Sequence, residues 1–155
     1  MRSASARATS NVVQFADGIV EGADWPLVPD AEYLAVYQGH DCIEMASFRG
    51  APKVFIRFKL AEAGPHTGKT LFRAYRVRRR IDSKRFAVGP RSELLAMICR
   101  VMDPPTRQRQ ISLRDLKRHL VRVRTRTVIK DGRQRDVPAA MRYSVIDEIL
   151  GKETT

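Results

Sequence analysis

Apolar and polar positions alternate with period two in several stretches of the chain and follow a helical period in one. From Glu32, the residues Tyr33, Ala35 and Tyr37 alternate with Leu34 and Val36, and Gly39 marks a bend or bulge. Cys42 to Phe48 continues this as a second strand or as the other half of a bent one, up to the turn Arg49-Gly50-Ala51-Pro52. Lys53 to Leu60 is the clearest early strand. Val54, Ile56, Phe58 and Leu60 share a core face, and Lys53, Phe55, Arg57 and Lys59 share a basic face carrying one aromatic. After the loop Ala63 to Gly68, Lys69 to Arg78 alternates again. Leu71, Arg73, Tyr75 and Val77 oppose Phe72, Ala74, Arg76 and Arg78, and because both sets mix apolar and basic residues, period two leaves the inward face open.

Arg78 to Phe86 reads as a charged hairpin or loop. Ser92 to Met102 has helical period, with Ser92 as N-cap, Leu94, Leu95, Ile98, Val101 and Met102 as the buried stripe, and Asp103-Pro104-Pro105 as the stop. Ser112 to Leu116 suggests a short helical turn capped by Ser112. From His119 to Lys130, Val121, Val123, Thr125, Thr127 and Ile129 face one way and Arg122, Arg124, Arg126, Val128 and Lys130 the other, before the turn Asp131-Gly132. Tyr143 to Ile149 is a last strand or strand–helix junction. Several strands, one helix and further strands imply an all-β class with one inserted helix, a small β-barrel, because a lone helix lacks the partners of an α/β layered fold.

Length and charge sharpen this picture. The 155 residues suit one domain, expected at 29–150, preceded by an arm at 1–28 and followed by a short tail at 151–155. Within the arm, residues 1–11 are small, polar and mildly basic and read as disordered; a short transit peptide is the lesser reading. The net charge is +12, and 22 of the 29 basic residues are Arg. The charge is polarised. Residues 11–47 carry seven acids and no Lys or Arg, whereas 73–142 carry 21 basic residues against six acids. Such a block attracts a polyanion, with nucleic acid ahead of an acidic protein or an anionic membrane. Two cysteines, Cys42 and Cys99, and no apolar leader favour a reducing, cytoplasmic compartment. No apolar run approaches the ~18 residues of a membrane span.

Three arginines on one strand face, Arg122, Arg124 and Arg126, would stand about 6.5–7 Å apart, a spacing near that of successive phosphates in an extended nucleic-acid strand. With Lys53, Arg57, Lys59, Arg73, Arg76 and Arg78 they could line an electropositive groove. Aromatic rings would supply stacking. Phe55, flanked by Lys53 and Arg57, leads; Tyr75, Phe72 and Tyr37 follow, at least one of Phe72 and Tyr75 belonging to the core, and Phe86 could cover a bound strand. The loops Arg78-Arg79-Arg80 and Arg133-Gln134-Arg135 are further phosphate contacts. Catalysis has little support. Gly64 to Thr70 lacks the spacing of a phosphate loop, the three histidines are scattered, no paired Cys/His spacing suggests a metal, and Asp41 with Glu44 lacks a third acid for two-metal nuclease chemistry. No catalytic residue, metal or cofactor is expected.

Several segments together resemble the single-stranded-DNA-binding-like proteins of phages and mobile elements, which are built on an OB fold. The resemblance runs through Pro29-Asp30-Ala31-Glu32-Tyr33, Pro52-Lys53-Val54-Phe55-Ile56-Arg57-Phe58, and Gly64 to Arg73 with Gly68-Lys69 and Leu71. It continues in Arg91 to Met102 and in Leu113-Arg114-Asp115-Leu116 leading into Val121-Arg122-Val123-Arg124, roughly residues 29–148 in all. The chain departs from the family at Lys117-Arg118-His119, where a Gly is usual, and in its tail, which is not acidic. The resemblance implies an OB-like five-stranded barrel in a bacterial, nucleoid-associated protein. It also implies a non-catalytic binder of single-stranded DNA serving replication, recombination or conjugative transfer, with proteins of those machineries as partners and with self-association open. RNA binding, docking of an acidic protein and a divalent-ion nuclease are the rival expectations.

Overall fold

The computed structural model describes residues 13–14, 19–20, 25–43, 52–104 and 110–153. The arm at 1–11, the continuation over Glu44 to Phe48, the turn residues Arg49 to Ala51 and the last two residues of the tail lie outside the described residues. The described chain runs β1 (Val13–Gln14), β2 (Ile19–Val20), β3 (Glu32–Ile43), β4 (Lys53–Leu60), β5 (Thr70–Arg76), β6 (Arg79–Arg80), β7 (Phe86–Ala87), α1 (Glu93–Met102), β8 (Leu120–Thr127) and β9 (Ser144–Lys152). Short 3-10 segments fall at Leu113–Arg118 and Ala139–Met141.

The alternation read over β4 is realised residue by residue. Val54, Ile56, Phe58 and Leu60 are fully enclosed, whereas Lys53, Phe55 and Arg57 are half-buried and Lys59 is exposed on the opposite face. Each fully buried aliphatic or Phe side chain stabilises the fold by about 1.5–3 kcal/mol. β4 pairs antiparallel with β3 on one side and β5 on the other, and β3 pairs in turn with β8 and β8 with β9. The result is a five-stranded antiparallel sheet of order β5-β4-β3-β8-β9. No ladder joins its outer strands, so it is an open sheet, and α1 packs against both β5 and β9.

The ambiguous strand is resolved by burial. In β5, Leu71 and Tyr75 turn inward, followed by Val77, and Phe72, Ala74 and Arg76 turn outward. Gly39 sits at a bulge, as expected: the register with β4 shifts between Tyr37 and Gly39, leaving Gln38 as the extra residue. A side chain at Gly39 would meet the Arg57 guanidinium at 2.6 Å, so the glycine lets Arg57 lie flat across β3.

Ser92 caps α1, its hydroxyl accepting from Leu94 N–H at 3.1 Å and Leu95 N–H at 3.3 Å, and the helix ends at Asp103 in the left-handed region. The buried stripe is Leu94, Met97, Ile98 and Val101; Met97 takes the place expected for Leu95. Ser112 caps the 3-10 segment by accepting from Arg114 N–H.

The segment before β3 is strapped to the body. Val28 is buried, its N–H donates to Ser144 Oγ at 2.8 Å, and Ser144 N–H donates to Pro26 C=O at 2.9 Å. Thr125, equally buried, accepts from Ala31 N–H at 3.1 Å and donates to Pro29 C=O at 3.1 Å. The two buried hydroxyls thereby satisfy backbone groups that would otherwise cost about 1–3 kcal/mol each. The boundary expected between 28 and 29 falls inside this strap.

Opposite faces of one strand predict unequal costs for the same substitution. Phe58→Ala is expected to lower the unfolding free energy by about 3–5 kcal/mol. Phe55→Ala, removing a half-buried ring, is expected to cost about 1–1.5 kcal/mol, of the order of one aromatic pair. Denaturant titration of both variants measures the difference; equal losses contradict the assigned register.

Candidate nucleic-acid interface

The outer face of β4 and β5 brings together an aromatic pair and a basic rim. Across the ladder Phe55 stands opposite Ala74, Arg57 opposite Phe72, and Lys53 opposite Arg76. The diagonal pair Phe55–Phe72 packs with ring centroids 5.5 Å apart at 53°. Both rings are half-buried, so part of each surface remains open to solvent. Lys53, Lys59 and Arg76 surround them, and exposed Ile43 on β3 stands opposite Lys53. Arg57 is ion-paired with Asp41 across the β3–β4 ladder, which removes part of its charge from this rim.

The arginine row of β8 forms as read from the alternation. Val121, Val123 and Thr125 point into the core and Arg122, Arg124 and Arg126 point out. Each arginine meets a carboxylate of the next strand or its end. Arg122 reaches Glu153 at 2.8 Å, Arg124 reaches Glu148 at 3.1 Å, and Arg126 reaches Asp147 at 3.1 Å. Two consecutive acids serve this face because β9 is bulged: Asp147 is the extra residue between the partners of Arg124 and Thr125. The hydrogen bond from Arg122 to Glu153 raises the guanidinium pKa still further. The row is thus an internally neutralised ladder and not a bare cationic track.

Two expected contacts lie elsewhere. Tyr75 is only 4% exposed, packed in the core, and cannot present a ring face to a base. Arg73 is on the same inward side, its guanidinium 4.7 Å from the Tyr75 ring centroid and 3.2 Å from Glu93 of α1. Both line an open crevice of about 250 Å³ between β5, α1 and β9, with Arg100, Asp147 and Glu148. The inward position of an arginine is tolerable because the sheet does not close there and Glu93 supplies the counter-charge. Phe86 also packs against the core and does not overhang a groove.

The basic loops carry their own acids. Arg78 is exposed between β5 and β6, and Arg79 and Arg80 are exposed on β6. In the turn that follows, Asp82 accepts from the backbone N–H groups of Lys84 and Arg85 and pairs with the Arg85 side chain, which holds its carboxyl below the usual range. Asp131 does the same for Arg133 and Arg135. Among the described residues no group of three His, Cys, Asp or Glu side chains could hold a metal ion, and no helix is long and apolar enough to cross a membrane. Glu44, the expected partner of Asp41, lies outside the described residues.

Of the residues singled out from sequence, Lys53, Phe55, Arg57, Lys59 and Arg76 share the outer face of β4–β5, and Phe72 joins them. Arg122, Arg124 and Arg126 form the separate β8 row, Arg78 sits in a loop, and Arg73 and Tyr75 face inward. The pairing of the arginines with Asp41, Asp147, Glu148 and Glu153 was missed; the last three acids follow the basic block in sequence and reach it only through the antiparallel return of β9. Comparison with family models, curated proteins and solved structures returns no match.

The interior position of Tyr75 has a titratable consequence. Burial pushes its phenol up to about 12. The folded state keeps this proton while the unfolded chain loses it near pH 10, so the stability it contributes is intact below pH 10 and is lost as pH rises toward 12. Absorbance titration of phenolate formation in the folded protein should lose its most alkaline step in Tyr75→Phe; a Tyr75 ionising near pH 10 contradicts the inward placement.

Proposed function

We propose that the chain binds single-stranded nucleic acid, DNA in the first instance, on the outer face of β4 and β5, without catalysing a reaction and with little sequence preference. The observation that carries this reading is the half-buried Phe55–Phe72 pair inside a rim of Lys53, Lys59 and Arg76. Bases stack on rings whatever their sequence, at about 1–3 kcal/mol per base, and the cations draw in the phosphates. The sheet order supports the same reading. Three consecutive strands, a helix, and two further strands, the fourth lying beside the first, match the order of an OB fold, whose second and third strands commonly face oligonucleotides. In that reading β4 and β5 are those strands, and the open seam between β5 and β9 is a partly open barrel.

The β8 arginines have a secondary place in this account. A phosphate reaching Arg122, Arg124 or Arg126 must first displace Glu153, Glu148 or Asp147, so these residues contribute little to affinity in the native chain.

Fluorescence anisotropy with a labelled oligothymidylate tests both statements. With three or four cations engaged, log Kobs against log salt is expected to fall with a slope of about −2 to −3, from the single-strand value of about −0.7 per phosphate. Phe55→Ala is expected to weaken binding by about 1–3 kcal/mol with that slope retained. Lys59→Ala should flatten the slope by about 0.7, whereas Arg124→Ala should leave it nearly unchanged. Glu148→Gln with Glu153→Gln should steepen it by freeing two arginines. Affinity indifferent to salt and to Phe55→Ala contradicts the proposal; competition between DNA and RNA strands of one sequence reads the preference for the sugar.

A further inference from the structure

Six large apolar side chains are exposed among the described residues, and four of them, Trp25, Leu27, Ile129 and Met141, belong to one end of the sheet. Short backbone links hold them there: Ser144 N–H donates to Pro26 C=O at 2.9 Å, Val128 N–H to Tyr143 C=O at 2.8 Å, and Val137 N–H to Ile129 C=O at 2.9 Å. Trp25 lies edge-on to Tyr143 with ring centroids 4.3 Å apart, yet remains 55% exposed, and Met141 is 68% exposed. Trp, Tyr, Met and Arg are the residues enriched where proteins meet, and a preformed aromatic anchor lowers the entropic cost of docking.

Charge selects the occupant. Residues 126–142, which wrap this end, hold five basic residues (Arg126, Lys130, Arg133, Arg135, Arg142) against two acids (Asp131, Asp136). Those acids pair with Arg135 and Lys130, Arg126 takes Asp147, and Arg133 and Arg142 have no carboxylate partner among the described residues. A like patch on a second copy would be repelled by this surplus, so a direct patch-to-patch contact is disfavoured. A complementary segment exists in the same sequence. Residues 11–24 contain Asp17, Glu21 and Asp24, no Lys or Arg, and the apolar residues Val12, Val13, Phe15, Ile19 and Val20. Within it, Val13–Gln14 pairs antiparallel with Ile19–Val20.

We propose that the Trp25–Tyr143–Met141 surface seats the acidic 11–24 segment of a second copy of this chain, in a dimer whose segments are exchanged. Charge complementarity selects this segment, and its docking on the surface of its own chain is the competing outcome that the mass measurement separates. Exchange also uses each contact twice, which helps a small patch approach the ~800 Å² per partner of a stable interface. The surface is distinct from the β4–β5 face and does not depend on nucleic-acid binding.

Trp25 is the single tryptophan and reports directly on the surface. The nucleic-acid-free full chain is studied by light scattering for mass and by Trp25 emission, over a range of concentrations. The expected result is a dimer with blue-shifted emission at micromolar concentration. Met141→Lys, on the patch, and Asp17→Lys with Glu21→Lys, on the segment, should each give a monomer with red-shifted emission and unchanged circular dichroism. Mixing the two variants should restore a weaker heterodimer, which retains one intact contact. A monomer at all concentrations overturns the proposal, including one whose emission still depends on the segment, since that outcome assigns the segment to its own chain. A dimer indifferent to both variants also overturns it and assigns association to another surface.

Discussion

The register of β4 is the constraint on which the rest depends. Val54, Ile56, Phe58 and Leu60 are the most completely enclosed run of the core, and β3 and β5 pair against that strand on either side. Because side chains alternate strictly across a strand, a slip of one residue would turn Lys53, Phe55, Arg57 and Lys59 into the core. The burial of one set therefore dictates the display of the other. Phe55 is held between two cations on the outer face because Val54 and Ile56 are indispensable on the inner one, and Phe72 meets it because β5 takes its register from β4. The proposed binding platform is a by-product of core packing, which makes it rigid without requiring dedicated contacts.

The large positive charge is handled differently on the two faces that carry it. On β8 the arginines are met one for one by carboxylates of β9, and a bulge at Asp147 adjusts that strand so that two adjacent acids reach the same face. In the turns at Asp82 and Asp131 a single carboxylate ties down two backbone N–H groups and an arginine. These exposed pairs individually add little to stability, because solvent screens them; their larger effect is to remove charge from the surface available to a polyanion. On the outer face of β4–β5 Arg57 pairs with Asp41, whereas Lys59 and Arg76 meet no carboxylate among the described residues. The distribution of carboxylates, more than that of arginines, marks where a phosphate could bind without competition.

Much of the fold was legible because its elements obey a single period. The β4 face, the bulge at Gly39, the Ser92 cap and the stop at Asp103 all follow from local sequence. The inward face of β5 did not, because Arg73 interrupts its apolar side, and only the unclosed edge and Glu93 make that position tolerable. The pairing of the β8 arginines was illegible for a topological reason, since Asp147, Glu148 and Glu153 lie some twenty residues or more downstream of their partners. The strap from Pro26 to Ala31 was hidden for a third reason: it rests on two buried hydroxyls, Thr125 and Ser144, that look in sequence like ordinary strand positions.

Under the proposed function, nucleic acid lies across Phe55 and Phe72 and leaves the β8 ladder intact. Photocrosslinking with an oligonucleotide containing iodinated deoxyuridine, read by peptide mass spectrometry, tests it most directly, because the excited base couples to an aromatic ring stacked on it. Adducts are expected at Phe55 and Phe72. Adducts confined to peptides of β8 and β9, with none on β4 or β5, would contradict it.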